Sequence, residues 1–215
     1  MKFEKILRKI RFALITVLMG ACIYGLMILP AGQMKVYAYD LAGEVKNVKP
    51  ELSIYVNTAQ NCVTIYMVGD NGEEIPIKAM ACSCGRAGHA TPKGTFKVQE
   101  RYTWRLMVDN TWAQYAVRFN KHILFHSVPY VREDPSTLEA DQYNLLGQPA
   151  SLGCVRLCVE DAKWIYDNVK QGTKVTVYED ASDPGPLGKP ERAKIDVNDA
   201  KSGWDPTDPD PKNPW

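Results

Sequence analysis

Leu52-Ser53-Ile54-Tyr55-Val56-Asn57-Thr58-Ala59-Gln60-Asn61-Cys62-Val63-Thr64-Ile65-Tyr66-Met67-Val68 is the stretch whose reading decides the fold class. Leu52, Ile54 and Val56 alternate with polar partners. Residues 62–68 are rich in β-formers, and residues 57–61 between them carry the small polar types of a hairpin turn. Two antiparallel strands are therefore expected. Working outward, Gly69-Asp70-Asn71-Gly72 is a second turn signal and residues 75–84 read as a third strand. A glycine-rich loop at 85–94 leads into a strand at 95–98, and further strands fit 115–119, 123–125 and 173–178. Short strands punctuated by turns predict a mainly β fold, a sandwich or barrel. One short helix stands out. It starts on Glu160 and Asp161, places Ala162, Ile165, Tyr166 and Val169 at i, i+3, i+4 and i+7, and closes at Lys170 and Gly172.

The flanks differ in texture from this middle. The chain has 215 residues with 26 Lys+Arg against 25 Asp+Glu, a length that suits one domain with appendages. A net charge of +1 argues against a nucleic-acid partner. Lys2, Lys5, Arg8, Lys9 and Arg11 precede an uncharged run at 12–29. That order predicts a signal peptide or an N-terminal membrane anchor over residues 1–38, with Val36-Tyr37-Ala38 as a cleavage site and the rest of the chain outside. A lipid on Cys22 is disfavoured, because the residues after it stay largely apolar. Residues 39–50 read as a spacer. Without residues 1–38, 20 bases face 24 acids, so the expected exported part is acidic, secreted or anchored at the membrane. Residues 179–215 hold seven of the 14 prolines and read as an irregular acidic tail, either disordered or laid over the domain with Trp204 and Trp215 as anchors.

The chemistry concentrates at Ser151-Leu152-Gly153-Cys154-Val155-Arg156. A cysteine directly after glycine, at a tight turn, can present its sulfur to a cleft while backbone N–H groups point at the same spot. A neighbouring imidazole and Arg156 would favour the thiolate. His126 ends the apolar run Ile123-Leu124-Phe125 and enters Ser127-Val128-Pro129-Tyr130, so it is the natural partner. No cofactor or metal is expected. The 88–94 stretch lacks the Gly-Lys-Ser/Thr ending of a phosphate loop, and Asp205, Asp208 and Asp210 lack an EF-hand's glycine and glutamate. Cys82-x-Cys84 has only His89 near it in sequence, and His122 reads as an edge residue. The five cysteines after residue 38 leave at least one thiol unpaired, and Cys154 with Cys158 or Cys84 is the bland disulfide alternative.

These motifs resemble one family. Phe125-His126-Ser127-Val128-Pro129-Tyr130 followed by Ser151-Leu152-Gly153-Cys154-Val155-Arg156, with Thr91-Pro92-Lys93-Gly94-Thr95-Phe96, is similar to the L,D-transpeptidase catalytic domain of the YkuD type over about residues 51–178. Two departures stand out: Leu152 replaces the family's usual histidine, and 28 positions separate His126 from Cys154. The resemblance implies a YkuD-like β-sandwich and peptidoglycan stem peptides as partners. It implies Cys154 as nucleophile, His126 as general acid and base, and the Ser127 carbonyl as its orienter. Gly153 and Cys154 N–H groups would hold the oxyanion within the Ser151 turn, and Arg156 would face a substrate carboxylate or brace the turn. The 129–149 insertion would form a lid or a wall. Hydrolysis would make the same site an L,D-carboxypeptidase, and Leu152 motivates a catalytically weak wall-binding module. A sortase does not fit the Ser151-Leu152-Gly153-Cys154 run, and the NlpC/P60 peptidases place cysteine before histidine. The oligomeric state is not encoded in any of these features.

Overall fold

The computed structural model describes residues 24–28, 34–39, 45–47 and 50–215. Most of the segment read as signal or anchor, and most of the spacer, lies outside the described residues. Strands β1 (Tyr24–Ile28), β2 (Met34–Tyr39) and β3 (Val45–Asn47) form an antiparallel meander by themselves. Among the described residues no helix is long and apolar enough to cross a membrane.

Residues 51–215 form the second unit, which holds two sheets. The expected hairpin is β4 (Glu51–Asn57) and β5 (Cys62–Val68), with Val56 opposite Val63 and Ile54 opposite Ile65. These four side chains are fully buried on the apolar face, and the polar Ser53, Asn57 and Thr64 of the other face are buried as well. The turn is held by Asn57, whose Oδ1 accepts from the N–H groups of Ala59 and Gln60, and by the positive φ of Asn61. Strands β6 (Glu74–Ala81), β7 (Gly94–Lys97) and β12 (Lys174–Tyr178) complete a five-stranded sheet in the order β6-β5-β4-β12-β7. Within it β12 runs parallel to β4.

Strands β8 (Arg101–Leu106), β9 (Trp112–Asn120), β10 (Ile123–Ser127) and β11 (Val155–Leu157) make the second sheet, in the order β11-β10-β9-β8. Strands β10 and β11 are parallel, and a parallel pair needs a long crossover. Residues 128–154 supply it and include helix α1 (Ala140–Tyr143), which was not expected. The helix after the cysteine turn is α2 (Val159–Asn168), ending short of the expected Lys170. Phe119 stacks on Phe125 at 4.6 Å and on Phe96 of the other sheet at 5.9 Å. The mainly β sandwich is thus observed, with two short helices among the described residues rather than one.

The crossover is packed. Val128, Tyr130, Leu138, Tyr143 and Leu146 are buried in a second core with Cys158, Val159 and Ile195. Ile195 belongs to the tail, which is an ordered strap and not a solvated linker. Trp204 is half-buried, whereas Trp215 is 45% exposed and makes a weak anchor. The tail's other anchors are polar. Asn57 Nδ2 donates to the carbonyls of Asp180 and Asp183, and Asn144 makes two hydrogen bonds of 2.8 Å with the Ile195 backbone. Asp205 Oδ2 accepts the Val159 N–H at 2.8 Å and Thr207 Oγ1 accepts that of Glu160, so the tail caps α2, whose own N-cap residue Cys158 makes no capping bond.

Candidate active site

Parallel pairing of β10 with β11 sets His126 opposite Arg156, and Cys154 stands one residue before β11. The sheet therefore sets the strand bearing His126 next to the strand that Cys154 leads into, although the two residues are 28 positions apart in sequence. His126 is 2% exposed, and its Nδ1 lies 2.6 Å from the Ser127 carbonyl. A carbonyl only accepts, so Nδ1 carries the proton of the neutral ring and Nε2 keeps a free lone pair. Cys154 is partly exposed, with Sγ 3.7 Å from the His122 carbonyl. The thiol and the imidazole each bond a backbone carbonyl rather than each other.

The surroundings shift both groups away from their ionised forms. Burial, reinforced by the Arg156 guanidinium, pulls the His126 pKa down to about 4, against the opposing Ser127 hydrogen bond and Asp109. Burial also pushes the Cys154 thiol up, although Arg156 pulls it down. A single cation favours a thiolate and disfavours an imidazolium, so Arg156 cannot stabilise the ion pair as a whole. Both shifts favour the uncharged forms, a thiol at Cys154 and a neutral imidazole at His126.

Arg156 is a brace. It is 7% exposed, with Nη1 donating to Gln142 Oε1 at 2.9 Å and to the Ala150 carbonyl at 3.4 Å, and Nη2 4.0 Å from Asp109 Oδ2. The expected alternative, a contact with a substrate carboxylate, finds its terminal nitrogens already turned to protein acceptors. Ser151 clamps the turn, its Oγ accepting the Gly153 N–H at 3.0 Å and donating to the Cys154 carbonyl at 2.6 Å. The Gly153 N–H, expected as an oxyanion donor, is thus engaged here. Gly153 has φ +117°, and a Cβ there would stand 3.2 Å from Ile123 Cδ1, so the turn requires glycine.

Residues 51–177 match the family described as the YkuD L,D-transpeptidase catalytic domain. The chain belongs to this family. A 92-residue stretch is 42% identical to YciB of Bacillus subtilis (strain 168), whose name places it among the L,D-transpeptidases, covering 41% of this chain and 46% of that protein. The chain thus spans about half the length of the curated relative it matches. Similar solved structures include an L,D-transpeptidase from Mycobacterium smegmatis, 20% identical over 71% of this chain and 70% of that one with a TM-score of 0.49. L,D-transpeptidase 3 from Mycobacterium tuberculosis is 22% identical over 74% and 79%, with a TM-score of 0.47. L,D-transpeptidases are cysteine-dependent enzymes that act on peptidoglycan stem peptides.

The other cysteines of this L,D-transpeptidase domain serve the scaffold. All five described cysteines are free, and Cys62, Cys82, Cys84 and Cys158 are buried. Burial pushes the thiols of Cys62, Cys82 and Cys158 up, away from reactivity. Cys82 and Cys84 flank Ser83, whose N–H and carbonyl both bond to Arg156, and the Cys84 carbonyl accepts from Ala150 and Ser151. This segment therefore backs the Gly153-Cys154 turn. Cys158, Glu160 and Asp161 offer donors within 4.8 Å of one another, but Asp161 is already ion-paired with Lys78 and Arg192. Sequence reading missed Asp109 and Gln142, because they sit on a hairpin turn and a one-turn helix remote from either motif. The Asp109-Asn110 pair, with Asn110 at φ +62°, was readable as a turn but not as a partner of Arg156.

Proposed function

We propose that the chain is an exported peptidoglycan L,D-transpeptidase working through a Cys154 acyl-enzyme. The observation that supports this reading is the bond between His126 Nδ1 and the Ser127 carbonyl, which leaves Nε2 as the basic nitrogen on a strand paired with the one that Cys154 leads into. As Cys154 Sγ attacks the carbonyl before the terminal D-alanine of a stem tetrapeptide, its proton passes to His126 Nε2. The imidazolium returns that proton to the departing amine, D-alanine leaves, and a thioester remains. An acceptor amine from a neighbouring stem then attacks the thioester, gives its proton to His126 and forms the cross-link, and Cys154 recovers a proton. Water in place of the amine gives carboxypeptidase turnover. The Cys154 N–H serves the oxyanion first, and the Gly153 N–H joins when Ser151 Oγ releases it. The basic and then apolar start of the chain delivers the domain outside the membrane.

Two measurements test this on one preparation. The parent should release D-alanine from tetrapeptide stems and gain the mass of one carbapenem, and Cys154→Ala should abolish both. A parent that does neither, or a Cys154→Ala variant that still does both, overturns the reading.

A further inference from the structure

The ladder between β9 and β10 is broken at the candidate base. Pairs run from Ile123/Asn120 to Phe125/Val117, and pairing resumes only at the Trp112/Tyr130 bridge. Tyr115 sits in the gap with φ +51°, a conformation a tyrosine rarely adopts in a strand. The Gln114 N–H turns to a side chain and donates to Ser127 Oγ at 2.8 Å, and that hydroxyl donates to the Val128 carbonyl at 2.9 Å. Ser127 is thereby pinned on one side while its carbonyl meets His126 Nδ1. The Gln114 side chain is held in turn by the strap, with Nε2 donating to Asp208 Oδ2 at 2.9 Å. Gln114, Ser127 and Asp208 are all buried. Asp208 cannot drift, because its N–H bonds to the Asp205 carbonyl while Asp205 caps α2, and Asn213 Nδ2 bonds to the Asp208 carbonyl.

We propose that Gln114 and Asp208 are positioning residues, through which the C-terminal strap fixes Ser127 and so the tautomer and orientation of the His126 imidazole. A buried amide–carboxylate bond is strong and directional, and it joins a remote segment to the backbone bearing the base. Without it the bulge at Tyr115 loses its outer support, the Ser127 carbonyl swings from Nδ1 and both ring tautomers become populated. The inference rests on His126 as the proton carrier, yet its first readout needs no activity.

The test uses the full chain with 15N-labelled histidine, His126 being assigned from His89→Gln and His122→Gln spectra. In the parent, His126 should show a protonated Nδ1 and an unprotonated Nε2. In Asp208→Ala the two nitrogens should move toward averaged shifts. Carbapenem acylation should slow about 10- to 100-fold, the scale expected for a misplaced reacting group, with the initial binding constant unchanged. Asp208→Asn, which keeps the shape and bonds Gln114 once that amide turns over so that its Oε1 accepts from the new NH2 group, should restore the tautomer and most of the rate. If Asp208→Ala does not fold, Gln114→Met removes the donor at similar volume and carries the same expectations. A parent ring protonated on Nε2, or folded variants that keep the Nδ1–H form, overturns the proposal whatever happens to the rate. A parent that takes no carbapenem defeats the functional reading, while the spectra still decide this one.

Discussion

A buried neutral histidine makes stability depend on pH in a direction that can be isolated by difference. Between its unfolded pKa of 6.5 and its folded value of about 4, the unfolded chain binds a proton that the native state refuses. Stability must therefore rise with pH across that window and fall on acidification. The interval amounts to about 3 kcal/mol, at 1.36 kcal/mol for each tenfold change in proton affinity. Asp205 opposes it. Burial raises that carboxyl from 3.8 to about 6 against hydrogen bonds from Thr207 and Val159, so the native state holds the extra proton there and stability falls as pH rises through the same range. The parent's own profile is consequently flattened, and the informative quantity is the gap between parent and His126→Gln, in which Asp205 cancels. Urea unfolding at pH 7.5, 6, 5 and 4 measures it. At pH 7.5 the variant should carry only the fixed cost of a buried amide that has lost its partner. By pH 4 the gap should have moved by about 3 kcal/mol in favour of the variant, because the variant has no ring to protonate. A gap constant to within about 0.5 kcal/mol, the scatter of independent mutational effects, would refute the claim that His126 is buried as a neutral ring.

Two further outcomes follow from the turn and the strap. Ser151→Ala removes the acceptor of the Gly153 N–H and the donor to the Cys154 carbonyl and should cost about 1–3 kcal/mol in chemical unfolding. Carbapenem acylation should slow in the same variant, and a faster reaction would mean that Ser151 holds an oxyanion donor back without aiding the turn. Asp205→Ala takes away the carboxylate that caps α2 and should cost about 0.5–2 kcal/mol, read as a lowered thermal midpoint at pH 7.5. An unchanged midpoint there would mean that the strap lies on the domain without supporting it.

The legible parts of the molecule were those encoded over a few adjacent residues. The β4–β5 hairpin announced itself by a period of two and by Asn57 and Asn61 in its turn, and His126 and Cys154 by compact motifs. Strand β8 escaped notice because Arg101-Tyr102-Thr103-Trp104-Arg105 carries no aliphatic alternation, being largely exposed on an edge strand. Strand β11 is three residues long and was readable only as chemistry. What could not be read was long-range polar pairing: Arg156 with Gln142 and Asp109, and Gln114 with Asp208, 94 positions apart.

The tail shows how composition misleads. Prolines and tryptophans drew attention to it, but its aspartates give it shape. The Oδ1 atoms of Asp180, Asp183, Asp196, Asp199, Asp205, Asp208 and Asp210 each accept the N–H two residues on, at Ser182, Gly185, Asn198, Lys201, Thr207, Asp210 and Lys212. A chain of such turns folds back on itself without regular structure, and proline suits it because few backbone donors are then left unpaired. The acidic excess of the tail is thus turn chemistry more than a solvated charge surface. Asp205 and Asp208 make the point sharply, for both are buried, and each spends one oxygen on its own turn and the other on the catalytic domain. A strap built this way can brace α2 through Asp205 and the backbone beside His126 through Asp208 and Gln114 at once.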